Sequence, residues 1–301
     1  EQSEIEKILA SKSRLKTLIK NELIEIKQEF GEERKSPIIG SSSAKVFSEE
    51  ETIVTEPVTI VLSKAGWIRS AKGHEIDPSS LSYRGDDLLQ DFCRGKSNQN
   101  TVFLASNGKA YTLSAHSLPS ARGLGDPITG RISADSGIIF KSCAIGEQED
   151  KYVVSNSAGF GYISDFASMI SNKKSGRAFM KVPEGADVHR VIKYREDHEF
   201  IVAISSIGRM LIFKIEELPF LQKGKGNKII NIPTPKFKSG EESMTHIELL
   251  APESILRIDS GKQHMRLKFK DLQNYISTRA KRGNMLPQGY RKVDSIIEEL
   301  E

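Results

Sequence analysis

Between Pro57 and the C-terminus one unit recurs five times: a short apolar run, a glycine, then a second apolar anchor. This internal repeat restricts the fold more than any other feature. The glycines are Gly66, Gly108, Gly159, Gly208 and Gly261, spaced by 42, 51, 49 and 53 residues, close to the roughly 40 to 50 residue period of four-stranded propeller blades. Four to six residues before each lies a strand-like run: Ile60-Val61-Leu62, Val102-Phe103-Leu104, Val153-Val154-Ser155, Val202-Ala203-Ile204 and Ile255-Leu256-Arg257. A hairpin turn at the glycine follows. About ten residues after it stands the second anchor, at Ile76, Leu118, Met169, Leu218 and Leu272. One unit alone would leave its apolar face in water, so the units are expected to stack radially and bury it against their neighbours. The fold class read from this pattern is mainly β, a five-bladed propeller-like disc.

A different texture precedes the repeats. From Ile5 to Phe30 apolar residues return at intervals of three and four with no glycine or proline, which predicts an amphipathic helix or two helices broken near Ser11 to Ser13. Residues 36–56 read as an acidic linker and 294–301 as an acidic tail, which leaves 57–293 for the β domain and 1–35 for the helical segment. No apolar run approaches the roughly 20 residues needed to cross a bilayer, and the opening Glu1-Gln2-Ser3-Glu4 is neither a signal peptide nor a natural initiator. The chain therefore reads as a piece of a longer protein, and its two well-separated cysteines fit a reducing, cytoplasmic setting. Cys93 and Cys143 are too far apart for a Cys-x-x-Cys site, and the six histidines show no ligand spacing, so no metal is expected. Both cysteines lie 15 or 16 residues before a turn glycine, on equivalent strands, and read as small core residues.

Net charge is only +4, but it is unevenly placed. Residues 1–56 hold 9 basic and 12 acidic side chains, and the last eight residues hold four acids and no base. That leaves 35 bases against 24 acids, or +11, in between, a balance suited to a polyanion. The bases cluster with glycine in one loop per unit: Tyr83-Arg84-Gly85, Arg122-Gly123-Leu124-Gly125, Lys173-Lys174-Ser175-Gly176-Arg177, Lys223-Gly224-Lys225-Gly226 with Lys228 beyond it, and Lys281-Arg282-Gly283. Rotational repetition puts equivalent loops on one rim. Lys64, Arg69, Lys72, Lys109, Arg209, Lys262 and Arg266, in or near the glycine turns, are expected to add to it. Such a rim suits backbone binding and bending of double-stranded DNA. The competing reading is a propeller-type protein-interaction scaffold whose basic loops only confer solubility.

Several runs carry a family likeness: Lys72-Gly73-His74-Glu75-Ile76-Asp77, Arg94-Gly95-Lys96-Ser97-Asn98-Gln99, Leu118-Pro119-Ser120-Ala121-Arg122-Gly123 and Leu218 to Pro233. By these, residues 57–293 resemble the C-terminal β-pinwheel of bacterial type IIA topoisomerase A subunits, and among them the topoisomerase IV type (ParC). Residues 8–36 are similar to the end of that family's breakage-reunion region. The resemblance implies blades that exchange strands and an outer rim that bends a duplex. It also implies a parent enzyme that decatenates and relaxes chromosomes with ATP and magnesium bound elsewhere. That parent would be a homodimer of A subunits joined by its ParE partners, with a chromosome-condensing protein as a further partner, associated with the bacterial nucleoid and no membrane. The family's attacking tyrosine follows an arginine, and none of the seven tyrosines here does, so no catalytic residue is expected. Gyrase A subunits, the alternative within the family, carry a glutamine-basic-basic-Gly-Gly-Lys-Gly box in the first blade. Here only Gln222-Lys223-Gly224-Lys225-Gly226 echoes it, in the fourth unit.

Overall fold

The computed structural model describes residues 2–32 and 54–299. Most of the 36–56 linker falls outside them. The chain divides into two units, Glu1–Phe47 and Ser48–Glu301. In the first, α1 (Gln2–Leu9) and α2 (Lys12–Phe30) are separated at Ala10-Ser11, and α2 stops at Gly31, whose N–H donates to Lys27 O at 3.0 Å. The apolar stripe that predicts these helices is exposed along both, from Ile5 through Leu23 to Phe30.

In the second unit each repeat builds a sheet around a hairpin at its glycine. Sheet one runs β3 (Leu89–Lys96), β1 (Pro57–Ser63), β2 (Trp67–Lys72), β6 (Asp126–Pro127), and sheet two runs β7 (Phe140–Gly146), β4 (Asn100–Ala105), β5 (Lys109–Ser114), β10 (Arg177–Ala178). Sheet three runs β11 (Ile192–Lys193), β8 (Lys151–Asn156), β9 (Phe160–Asp165), β14 (Asn227–Lys228). Sheet four runs β15 (Met244–Leu250), β12 (Phe200–Ser205), β13 (Arg209–Lys214), β18 (Asn284–Met285). Sheet five has three strands among the described residues, β19 (Ser295–Glu299), β16 (Ile255–Ser260) and β17 (Gln263–Leu267). The five-bladed expectation holds. Residues 295–299, assigned on sequence to an acidic tail, instead pair with β16 as the third strand of blade five, because Ile296 supplies a buried apolar contact there.

The fourth strand of each of the first four sheets comes from the following repeat. Its docking follows one pattern in blades one and three. Ser70 N–H donates to Pro119 O at 2.8 Å and Ala121 N–H to Ser70 O at 2.9 Å. Two blades on, Ile163 N–H donates to Pro219 O at 2.9 Å and Leu221 N–H to Ile163 O at 2.8 Å. A short antiparallel pairing follows, for example Asn227 with Gly161 and Lys228 with Phe160. The glycine before that pairing must come close: a Cβ on Gly283 would lie 2.5 Å from Met210 O, and one on Gly226 would overlap Gly161 O.

Repeat one does not donate. The groups that would dock are Asp77 O and Ser79 N–H, at the positions of Pro119 and Ala121, and both are used locally. Ser79 N–H donates to Asp77 Oδ1 at 2.9 Å, and Asp77 O accepts from Ser80 Oγ at 2.8 Å. Its loop glycine, Gly85, has nothing within 4 Å of a Cβ position. The segment folds back on its own blade, with Ala65 N–H donating to Asp87 Oδ1 at 2.9 Å. Ile76, the anchor of this repeat, is accordingly only half-buried, whereas Met169 and Leu272 are fully buried.

Four apolar clusters fill the four seams between successive blades. Ile60, Phe103 and Ile145 belong to the first seam, Leu104, Tyr162 and Phe179 to the second, Ile201, Phe213 and Ile229 to the third, and Val202, Leu256 and Leu272 to the fourth. Each fully buried side chain of this size contributes about 1.5–3 kcal/mol. Central strands β4 and β12 are buried on both faces, and read as continuous apolar runs. β16 differs: Leu256 and Ile258 face the fourth seam, while Arg257 and Asp259 pair with each other at 2.8 Å on the other face. The blades thus form an arc capped at one end by the repeat-one loop and at the other by charge.

Candidate nucleic-acid interface

Because the donated strand is the outermost of each sheet, the glycine-basic loops are fixed to the outer edge by the exchange itself. Arg122 lies over blade one, Lys173 and Lys174 over blade two, Lys223 and Lys225 over blade three, and Lys281 over blade four, all exposed. Lys225 Nζ stands 3.9 Å from the Phe160 ring centroid, and Lys228 Nζ donates to Asn231 Oδ1 at 3.1 Å. Arg177 sits half-buried in β10. At the turns Lys64 and Lys262 are exposed. Arg84, in the folded-back loop, stacks 4.8 Å from the Trp67 ring, so this tryptophan is a packing surface for a cation.

Three candidates are not rim groups. Arg69 is 4% exposed, its Nη1 donating to Gly123 O at 3.1 Å and its Nη2 to Ser82 O at 2.9 Å. Arg209 Nη1 donates to Gly283 O at 2.9 Å. Arg282 grips the carboxylate of Glu242, itself 1% exposed, through two bonds of 2.7 Å, and donates to Asn231 O at 2.8 Å. Each spends its fork holding an exchanged segment. The sequence offers no signal for this, because a clamp and a phosphate contact both appear as an arginine in or near a glycine turn or loop. Arg279, not singled out in the sequence, does similar work through a 2.7 Å bond from Nη1 to Lys228 O. Three more candidates are paired: exposed Lys72 with Glu56 at 2.9 Å, half-buried Lys109 with Asp135 at 2.7 Å and exposed Arg266 with Glu299 at 2.8 Å. Exposed pairs of this kind are worth at most about 1 kcal/mol and exchange readily for another anion.

The opposite, inner edge is made by β3, β7, β11, β15 and β19, which line a cavity of about 660 Å3. Two polar joints close it. In one, Asp91 accepts from Ser142 Oγ at 2.6 Å and Cys143 N–H at 3.0 Å and pairs with Arg190 at 2.9 Å, tying three blades. Burial raises the Asp91 carboxyl above its ordinary value, with Arg190 opposing. In the other, Glu298 joins Arg195 at 2.8 Å, His198 at 3.1 Å and Ala251 N–H at 2.8 Å. Burial pushes the Glu298 carboxyl up, but these bonds outweigh it and hold it below the usual carboxylate range. Glu248, in the same cavity, accepts from Leu249 N–H at 3.0 Å, but burial outweighs this and raises it to about 7. Among the described residues no group of three or more histidine, cysteine or acidic side chains is placed to hold a metal. No described helix is long and apolar enough to cross a membrane.

Five sheets, the first four completed by strand exchange and carrying basic loops on the outer edge, define a β-pinwheel domain. The solved C-terminal domain of Escherichia coli ParC matches at TM-score 0.72 and 37% identity, covering 82% of this chain and all of that one. Over its whole length the chain is also 39% identical to the DNA topoisomerase 4 A subunit of Pseudomonas aeruginosa, and it is 41% identical over 290 residues to that of Haemophilus influenzae. It spans about 40% of the length of these curated relatives. A topoisomerase IV C-terminal domain at 14% identity (TM-score 0.64) and a gyrase A C-terminal domain at 13% (TM-score 0.59) share the fold. No family model matches. The chain belongs to the family of topoisomerase IV A subunits and carries its C-terminal pinwheel.

Proposed function

We propose that the outer edge of the arc binds and bends a DNA duplex, holding the segment to be transported for a type IIA topoisomerase that decatenates and relaxes DNA with ATP. The observation that carries this reading is the repetition: exchanged segments present Arg122, Lys173, Lys174, Lys223, Lys225 and Lys281 in the loops that lead into the outermost strand of four successive blades. These cations neutralise phosphates without reading bases. The tyrosine chemistry, the magnesium and nucleotide sites and the contacts with ParE and with a second copy of the parent lie, in this proposal, in the rest of the parent protein. A condensing-protein partner and nucleoid association belong to the same proposal. Gyrase-like wrapping is disfavoured by the lack of the first-blade box.

Duplex binding at several salt concentrations tests the proposal. Affinity should fall on the order of 10³-fold between 50 and 200 mM salt if about six phosphates are neutralised. A flat response would favour the protein scaffold instead, and ATP-dependent negative supercoiling by the whole parent enzyme would favour gyrase.

A further inference from the structure

The two cysteines meet across the inner part of the first seam. Cys93 is on β3 of blade one and Cys143 on β7 of blade two, strands that belong to different sheets. Asp91 and Cys93, two residues apart, share one face of β3. Asp91 Oδ2 lies 3.0 Å from the amide nitrogen of Cys143, which brings that face against Cys143. Cys93 packs on the cluster that contains Cys143, its thiol is close enough to perturb that of Cys143, and both line the central cavity. Their accessibility differs: Cys143 is 3% exposed, whereas Cys93 is half-buried with the cavity before it.

We propose that Cys93 and Cys143 form an oxidation site, in which a hydroperoxide converts the pair to a disulfide that staples blade one to blade two. The thiolate of Cys93 attacks the proximal oxygen of the peroxide, giving a sulfenic acid and releasing water or an alcohol. The sulfur of Cys143 then attacks the Cys93 sulfur, the S–O bond breaks, and the hydroxyl leaves as water with the Cys143 proton. The pair loses two electrons and two protons, and the peroxide is the oxidant. Burial raises the Cys143 thiol well above its ordinary value, so it resolves the sulfenic acid rather than starting the reaction.

The test is hydrogen peroxide treatment of the folded chain, alkylation of remaining thiols, and intact mass measured without reductant. Wild type should lose two hydrogens and take up no alkylating agent, and dithiothreitol should restore both thiols. Cys143→Ser should stop at the sulfenic acid, trapped on Cys93 by dimedone, while Cys93→Ser should resist peroxide. Peptide mapping should place the bond between residues 93 and 143 of one chain. A dimedone adduct or added oxygens on wild-type Cys93 without the bond would overturn the proposal. Unreacted thiols in both wild type and Cys143→Ser, or only intermolecular bonds, would do so equally.

Discussion

Arg282 offers the sharpest test of the division between clamps and rim. Its guanidinium makes two 2.7 Å bonds to Glu242 and one of 2.8 Å to Asn231 O, and the carboxylate it holds is 1% exposed while its own side chain is 31% exposed. Arg282→Ala removes the partner and leaves a buried carboxylate. Breaking a buried pair in this way costs about 3–5 kcal/mol, and the partial exposure of the arginine lets water reach the site, which brings the expected loss to about 2–3 kcal/mol. Lysine cannot reproduce the fork, so Arg282→Lys should recover less than half of it. Arg282→Ala with Glu242→Gln removes the stranded charge and should be more stable than Arg282→Ala alone. Urea denaturation followed by circular dichroism reads all of these. In parallel, duplex binding in urea-free buffer, well below the thermal transition, should change little for Arg282→Ala, whereas Lys223→Glu should weaken it clearly. If Arg282→Ala were as stable as wild type and lost affinity as Lys223→Glu does, the clamp assignment would be wrong and the arginine would be a DNA contact.

Two further outcomes follow from the inner cavity and the exchange loops. Glu248 titrates near 7 in the fold against about 4.3 when unfolded. The folded state therefore holds the proton more tightly, and stability is fully present below about pH 4.3 and lost as pH rises to about 7. Glu248→Gln should lie up to about 4 kcal/mol above wild type at pH 8, with the gap narrowing toward pH 4; a constant gap in urea titrations would refute this. Gly226→Ala meets both a left-handed φ of 76° and the Gly161 carbonyl, whereas Gly85→Ala meets only a φ of 59° in open space. The first should cost several-fold more than the roughly 1 kcal/mol of the second, and equal thermal shifts would contradict the docking role of Gly226.

Much of the architecture is legible because each turn glycine sits between an apolar run and a second anchor. The exchange is harder to see, since the donated strands pair over two residues each and carry no periodicity of their own. Both ends of the arc do leave a trace. Asp77-Pro78-Ser79 is a turn-forming sequence where the other repeats dock, and Arg257 and Asp259 break the apolar run that β4 and β12 maintain. For the site, composition locates the basic loops, but Arg69, Arg209 and Arg282 are indistinguishable from rim cations until the carbonyls they bind are placed opposite them.

The direction of strand donation also sets an order on synthesis. A ribosome releases the hairpin of one repeat before the segment that will complete its sheet, because that segment belongs to the next repeat. With repeat spacings of 42 to 53 residues, and synthesis at about 5–20 residues per second, each of the first four blades waits roughly 2–10 s with an unpaired edge. Repeat one, which keeps its docking groups for itself, leaves the exit tunnel with its own loop already able to cover the exposed face of the first blade.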